Sequence, residues 1–178
     1  MSNRLLTLVS ALSLGGLLLG QGVVLARLSP GTTAPLLDVK VVAGANAGSE
    51  VCVTCTKSSA VVFLTKTDNT IVSFLKQFDD ALRAKGAPSL AAVAVFTGAA
   101  AQDTDKLKQI ARTQGLTKLA LAVPSKADQL PEWKLDAAKA ANAYVVSKQK
   151  VTASFATGAP YQDGLAAKLI AKARDTVD

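Results

Sequence analysis

Residues 50–70, EVCVTCTKSSAVVFLTKTDNT, decide the reading of this chain. Within them, residues 60–65 form a short, β-branched and continuously apolar run, the pattern of a strand covered on both faces in a parallel sheet. A Cys-x-x-Cys pair, Cys52 and Cys55, stands ahead of that run, and a threonine pair with the same gap, Thr67 and Thr70, stands behind it. Asp68, Asn69 and Thr70 supply helix-capping side chains, with Thr70 the threonine expected to cap. Ile71, Phe74, Leu75, Phe78 and Leu82 then recur at three- and four-residue steps until Gly86. The stretch therefore reads as cysteine pair, buried strand and amphipathic helix.

Outward from it the same alternation repeats. Residues 36–42 read as a first strand, and GANAGSE (44–50) as the turn that leads to the cysteines. Residues 90–96 read as a strand, 103–114 as a helix closed by Gly115, and 119–123 as a further strand halted by Pro124. PSKADQLPEWKLDAAKAA (124–141) is irregular, a loop with a short helix, in which Trp133, the only tryptophan, reads as a core anchor. AYVVS (143–147) and VTASF (151–155), parted by residues 148–150, read as a hairpin. Residues 164–177 give a last helix with Leu165, Leu169, Ile170, Ala173 and Val177 inward. Alternating strands and helices predict a three-layer α/β domain with a mixed central sheet and helices on both faces.

The amino-terminal end reads differently. Arg4 precedes an almost wholly apolar run over residues 5–19, followed by Val24-Leu25-Ala26, the organisation of a secretory signal peptide cut after Ala26. The run is shorter than the ~20 residues that cross a bilayer, so no retained transmembrane span is expected. The expectation is a signal peptide over 1–26 and one domain over 27–178, secreted or periplasmic. The formal charge of +7 falls to +6 without Arg4. The lysines are scattered along amphipathic segments, aromatics are sparse and no arginine stripe occurs, so no nucleic-acid partner is expected.

The chain contains no histidine. His-assisted hydrolysis, His-ligated zinc or copper and imidazole acid-base chemistry all lose their central residue, and Thr56 stands where covalent haem attachment would need histidine. Two cysteines alone do not close a zinc site, and although a pair of thiolates could hold a soft ion, neither a resident metal nor a cofactor is expected. Asp79-Asp80 and Asp103-x-Asp105 read as solvated or helix-capping carboxylates, because adjacent helical residues face different ways.

The order of elements resembles the thioredoxin-like fold in its peroxiredoxin-type elaboration, over nearly all of residues 27–178, with AYVVSKQKV similar to the strand-turn-strand ahead of the family's last helix. The resemblance implies a reactive thiol at the end of the strand corresponding to 60–65, where helix N–H groups and the dipole favour thiolate. Thr67 and Thr70 occupy that place here, and a threonine hydroxyl does no thiol redox chemistry. The resemblance also implies a cis-proline before the closing hairpin. Ala141-Asn142-Ala143 occupies that stretch, and a cis bond ahead of a non-proline costs ~3 kcal/mol.

Chemistry then rests on Cys52 and Cys55, about a dozen residues upstream of the family's position. Two readings stay open. The pair is a thiol-disulfide exchange centre acting on a partner protein's thiol or disulfide, with Cys52 attacking if the family habit holds. Alternatively it is a structural disulfide in a non-catalytic binding or scaffolding domain. Lys57 behind Cys55 would lower a thiol pKa and Glu50 ahead of Cys52 would raise one. Nothing in the sequence fixes the oligomeric state.

Overall fold

The computed structural model describes residues 27–84 and 89–177, the side chain of Val177 excepted. The expected signal peptide with its cleavage after Ala26, and Gly86, lie outside the described residues. No helix among the described residues is long and apolar enough to cross a membrane.

Seven strands form one mixed sheet: β1 (Asp38–Gly44), β2 (Glu50–Cys52), β3 (Ser58–Leu64), β4 (Ala91–Phe96), β5 (Ala120–Pro124), β6 (Ala141–Ser147) and β7 (Lys150–Thr157), in the order β2-β1-β5-β4-β3-β6-β7. Strands β3, β4 and β5 are parallel, β1 and β6 pair antiparallel with β5 and β3, and β2 and β7 pair antiparallel with β1 and β6 in turn. The central position of β3 explains its composition: all seven of its residues are buried, as a strand covered on both faces requires. The expected thioredoxin-like α/β architecture is present.

Among the described residues there are three α-helices: α1 (Asn69–Arg83), α2 (Thr104–Gln114) and α3 (Leu165–Val177). The steps β3-α1-β4 and β4-α2-β5 move the same way across the sheet, so two right-handed crossovers place both helices on one face. Leu165, Leu169 and Ile170 of α3 join Ile71, Phe74 and Leu107 in the core of that face, over Ala60, Val62 and Leu64 of β3. Successive strand residues point to opposite faces, and Val61 and Phe63 enter a second core. Helices are expected on both faces, but among the described residues that second layer holds no α-helix, its cover being supplied by loop and 3-10 segments. Leu28, Ala34 and Leu37 of the lead, Val53 of a 3-10 turn (Val53–Cys55) and Trp133 of another (Pro131–Trp133) cover the sheet instead.

Trp133 is fully buried, with Phe63 and Tyr144 each packed against it at 5.1 Å between ring centroids, and the Tyr144 hydroxyl donates to the Trp133 carbonyl at 2.7 Å. Its reading as a core anchor holds. The short helix expected beside it is a pair of 3-10 turns, Ala127–Gln129 and Pro131–Trp133.

Three local expectations change. Asp68 caps α1, its carboxylate accepting from the Ile71 amide at 3.0 Å, while Thr70 is the helix's second residue and is exposed. The turn expected over 44–50 is present at 45–48, but Glu50 already belongs to a strand, β2, that carries Cys52 and pairs antiparallel with β1. Asp79 is no solvated carboxylate. It is fully buried, its Oδ1 accepts from the amides of Thr117, Lys118 and Leu119 at 2.9, 2.7 and 2.8 Å, and its Oδ2 lies 3.0 Å from Arg83 Nε. Asp103 and Asp105 keep their expected roles, the first as the cap of α2 and the second paired with Lys108.

Candidate functional site

Cys52 and Cys55 form a disulfide with Cα atoms 5.4 Å apart. The local sequence produces this by folding between two anchors. On one side β2 runs antiparallel to β1, with Asp38 opposite Cys52 and Lys40 opposite Glu50, after a turn in which Asn46 and Gly48 take positive φ. On the other side, Lys57 and Ser58 lead into β3. Between them the chain makes one 3-10 turn whose Val53 is fully buried and Thr54 nearly so. The Val53 amide donates to the Leu37 carbonyl at 2.9 Å, and the Thr56 hydroxyl donates to the Val53 carbonyl at 2.9 Å. Val53 and Thr54 are turned inward, and the two cysteines flank them. Cys52 is half-buried and Cys55 is exposed.

The Thr54 hydroxyl lies 3.9 Å from Cys52 Sγ, within hydrogen-bonding reach for sulfur. Glu50 and Lys57 are both exposed. Glu50 stands two residues from Cys52 on the same strand and so projects to the same side of it. Asp38, opposite Cys52, is hydrogen-bonded by Gln129 Nε2 at 3.0 Å and Lys126 Nζ at 3.2 Å. The Gln129 bond first and the Lys126 bond second hold its carboxyl below the ordinary value of 3.8. Sequence reasoning missed this Asp38–Gln129 tie and the role of Thr54, because contacts across 91 residues leave no local periodic signal.

The position where the family resemblance implies chemistry contains none. Thr67 is half-buried and Thr70 exposed at the start of α1, at the carboxyl end of β3. Cys55 stands three residues before the amino end of that strand, whose seven residues span about 20 Å. The amino end of α1 therefore lends nothing to the sulfurs. Asn142 lies within β6, paired through its backbone with Phe63 on one side and Ala156 on the other. Its side chain is consumed by Asp136, accepting from that residue's amide at 2.9 Å and donating to its carbonyl at 3.0 Å. Among the described residues no peptide bond is cis.

A cleft of ≈ 490 Å³ opens beyond the carboxyl ends of β4 and β5, bordered by Thr97, Gln102, Val123 and Leu130. No ionisable side chain lines it, so it offers no acid-base group. Among the described residues no group of three or more Cys, Asp or Glu could hold a metal ion.

The sequence matches no protein-family model and no curated protein. The fold does match solved structures. A peroxiredoxin-like protein from Aquifex aeolicus aligns over 83% of this chain and 89% of its own, at 10% identity and a TM-score of 0.60. The thioredoxin domain of a thiol-disulfide oxidoreductase from Bacteroides vulgatus aligns over 81% and 99%, at 14% identity and a TM-score of 0.57. Peroxiredoxin Q from Xanthomonas campestris aligns over 77% and 91%, at 14% identity and a TM-score of 0.54. At these identities the likeness establishes architecture, and the conclusion is that this chain has the thioredoxin-like fold, with a Cys-x-x-Cys disulfide displaced to the other end of its central strand.

Proposed function

We propose that the protein is a thiol-disulfide exchange protein acting through Cys52 and Cys55. The observation that carries this reading is the bonded pair with Cys55 exposed, since an exchange centre needs a disulfide that an external thiolate can approach. The closed loop is short, so the bond constrains the unfolded chain by only about 2 kcal/mol and is not locked by a large folding contribution. The thiol-disulfide oxidoreductase among its structural neighbours is in keeping with this chemistry. The test is an exchange assay with a disulfide-bonded protein substrate. Turnover that disappears in the Cys52→Ser/Cys55→Ser double variant supports the reading, and equal rates with and without the cysteines contradict it.

One observation favours a second reading, a structural disulfide in a non-catalytic binding domain. Val53 is fully buried and hydrogen-bonded to Leu37, so the bond also clips a buried turn to the second core. On that reading, removing the bond lowers stability by up to about 2 kcal/mol and changes no exchange rate.

The proposal includes export. The apolar run over residues 5–19 and the Ala-x-Ala-like site at Ala26 support it, and an oxidising compartment would preserve the disulfide. Amino-terminal sequencing of the secreted protein should begin at Arg27, and retention of residues 1–26 would contradict cleavage.

A further inference from the structure

The asymmetry of the disulfide says more than that it is reachable. Cys55 is exposed, whereas Cys52 is half-buried with the Thr54 hydroxyl 3.9 Å from its sulfur. In exchange, the sulfur that an incoming thiolate meets becomes half of the mixed disulfide, and the other sulfur leaves as thiolate. Exposure selects Cys55 for the first role. Thr54, nearly fully buried and fixed in the turn between the cysteines, can donate to a thiolate on Cys52, which suits the second.

Around Cys55 lysines outnumber carboxylates, exposed Glu50 beyond Cys52 being the exception. Lys57 follows two residues later and is exposed, and its carbonyl accepts from the Lys148 amide at 3.0 Å, which brings the β6–β7 turn alongside. That turn adds exposed Lys148 and Lys150. Residues 51–67 and 143–162 contain no Asp or Glu, and among the described residues none of the three lysines is paired with a carboxylate. Lys148 and Gln149 both have positive φ, 51° and 61°, so this hairpin turn carries long polar side chains where Asn and Gly fit at less cost.

Resting on the exchange reading, we infer that Cys55 is the sulfur that contacts the partner, that Cys52 resolves the mixed disulfide, and that the partner's cysteine lies in an acidic segment received by Lys57, Lys148 and Lys150. This order is the reverse of the family habit. In the reducing direction the Cys55 thiolate attacks a partner sulfur. The partner S–S bond breaks, one partner sulfur leaves and takes a proton, and a Cys55–partner bond forms. The Cys52 thiolate then attacks Cys55 Sγ, closing the Cys52–Cys55 bond and expelling the second partner sulfur, which also takes a proton. Two electrons pass from the dithiol to the partner disulfide. The oxidising direction retraces the same steps.

The test compares the purified Cys52→Ser and Cys55→Ser proteins, each shown by thermal melting to be folded, in their reaction with oxidised glutathione, an anionic disulfide, and with cystamine, a cationic one. Cys52→Ser, which keeps Cys55, should form the glutathione mixed disulfide at least about tenfold faster than Cys55→Ser. Lys57→Gln/Lys148→Gln/Lys150→Gln in the Cys52→Ser background should slow the glutathione reaction several-fold without slowing cystamine, and added salt should do the same. Equal rates, or a faster Cys55→Ser, would overturn the assignment of Cys55. A glutathione rate indifferent to both lysines and salt would overturn the acidic partner. Failure of the exchange reading shows separately, as a wild-type protein without turnover whatever the reactivity of the single thiols.

Discussion

Asp79 Oδ1 accepts a hydrogen bond from the Leu119 amide at 2.8 Å, joining the middle of α1 to the residue before β5 across 40 positions of sequence. The same oxygen serves Thr117 and Lys118, so one buried carboxylate satisfies three successive amides of the α2–β5 connection. Asp79→Ala would strand those donors and remove one of Arg83's two carboxylate partners, leaving it Asp80 alone. Breaking a buried, charge-assisted network of this kind costs about 3–5 kcal/mol, to be read as a lower urea midpoint with unchanged slope. Stability within about 0.5 kcal/mol of wild type would mean that solvent replaces the carboxylate without loss.

Gly44 ends β1 at φ +80°, and a Cβ built there would stand 2.1 Å from the Leu119 carbonyl oxygen. Two penalties coincide, an unfavourable backbone region and a clash with backbone that cannot rotate away. Gly44→Ala should therefore destabilise by more than about 2 kcal/mol. Gly48→Ala is the control, because its φ is +87° and nothing lies within 4 Å of the added carbon. Equal losses at both positions would show that φ alone sets the effect.

Tyr144 yields a pH dependence. Burial is the first cause holding its hydroxyl above the ordinary value of 10.0, opposed in part by Arg27. The folded state therefore keeps this proton to higher pH than the unfolded chain does. The contribution is fully present below the unfolded value and is lost as pH rises through the folded one. Stability should fall above about pH 10, and Tyr144→Phe should flatten that alkaline decline at the expense of the bond to Trp133, worth about 1 kcal/mol at neutral pH. Emission from Trp133, the only tryptophan, reports the transition. An alkaline decline identical in both proteins would assign it to other groups.

Much of this architecture was legible in the sequence where one physical rule dominates. The apolar run over 60–64 announces a strand buried on both faces, and the spacing of Ile71, Phe74, Leu75 and Phe78 announces α1, all four being buried. Strand β2 escaped because three residues carry no period. Asp79 escaped because an Asp-Asp pair on a helix looks the same whether or not a distant loop presents three amides to it. The absence of α-helix from the second layer among the described residues also left no local mark, since Val53 and Trp133 sit in three-residue turns too short for periodicity. At the site, spacing made the Cys52–Cys55 bond plausible. Which cysteine is exposed depends on Val53 reaching Leu37, and that contact exists only once the fold is complete.

The most direct test of exchange at an accessible rim disulfide is the reduction potential of the Cys52–Cys55 couple in the purified protein, measured by equilibration with glutathione or dithiothreitol buffers. Exchange chemistry predicts a value in the span of known oxidoreductases, about −120 to −270 mV. A value below about −300 mV, the range of structural disulfides, would contradict it.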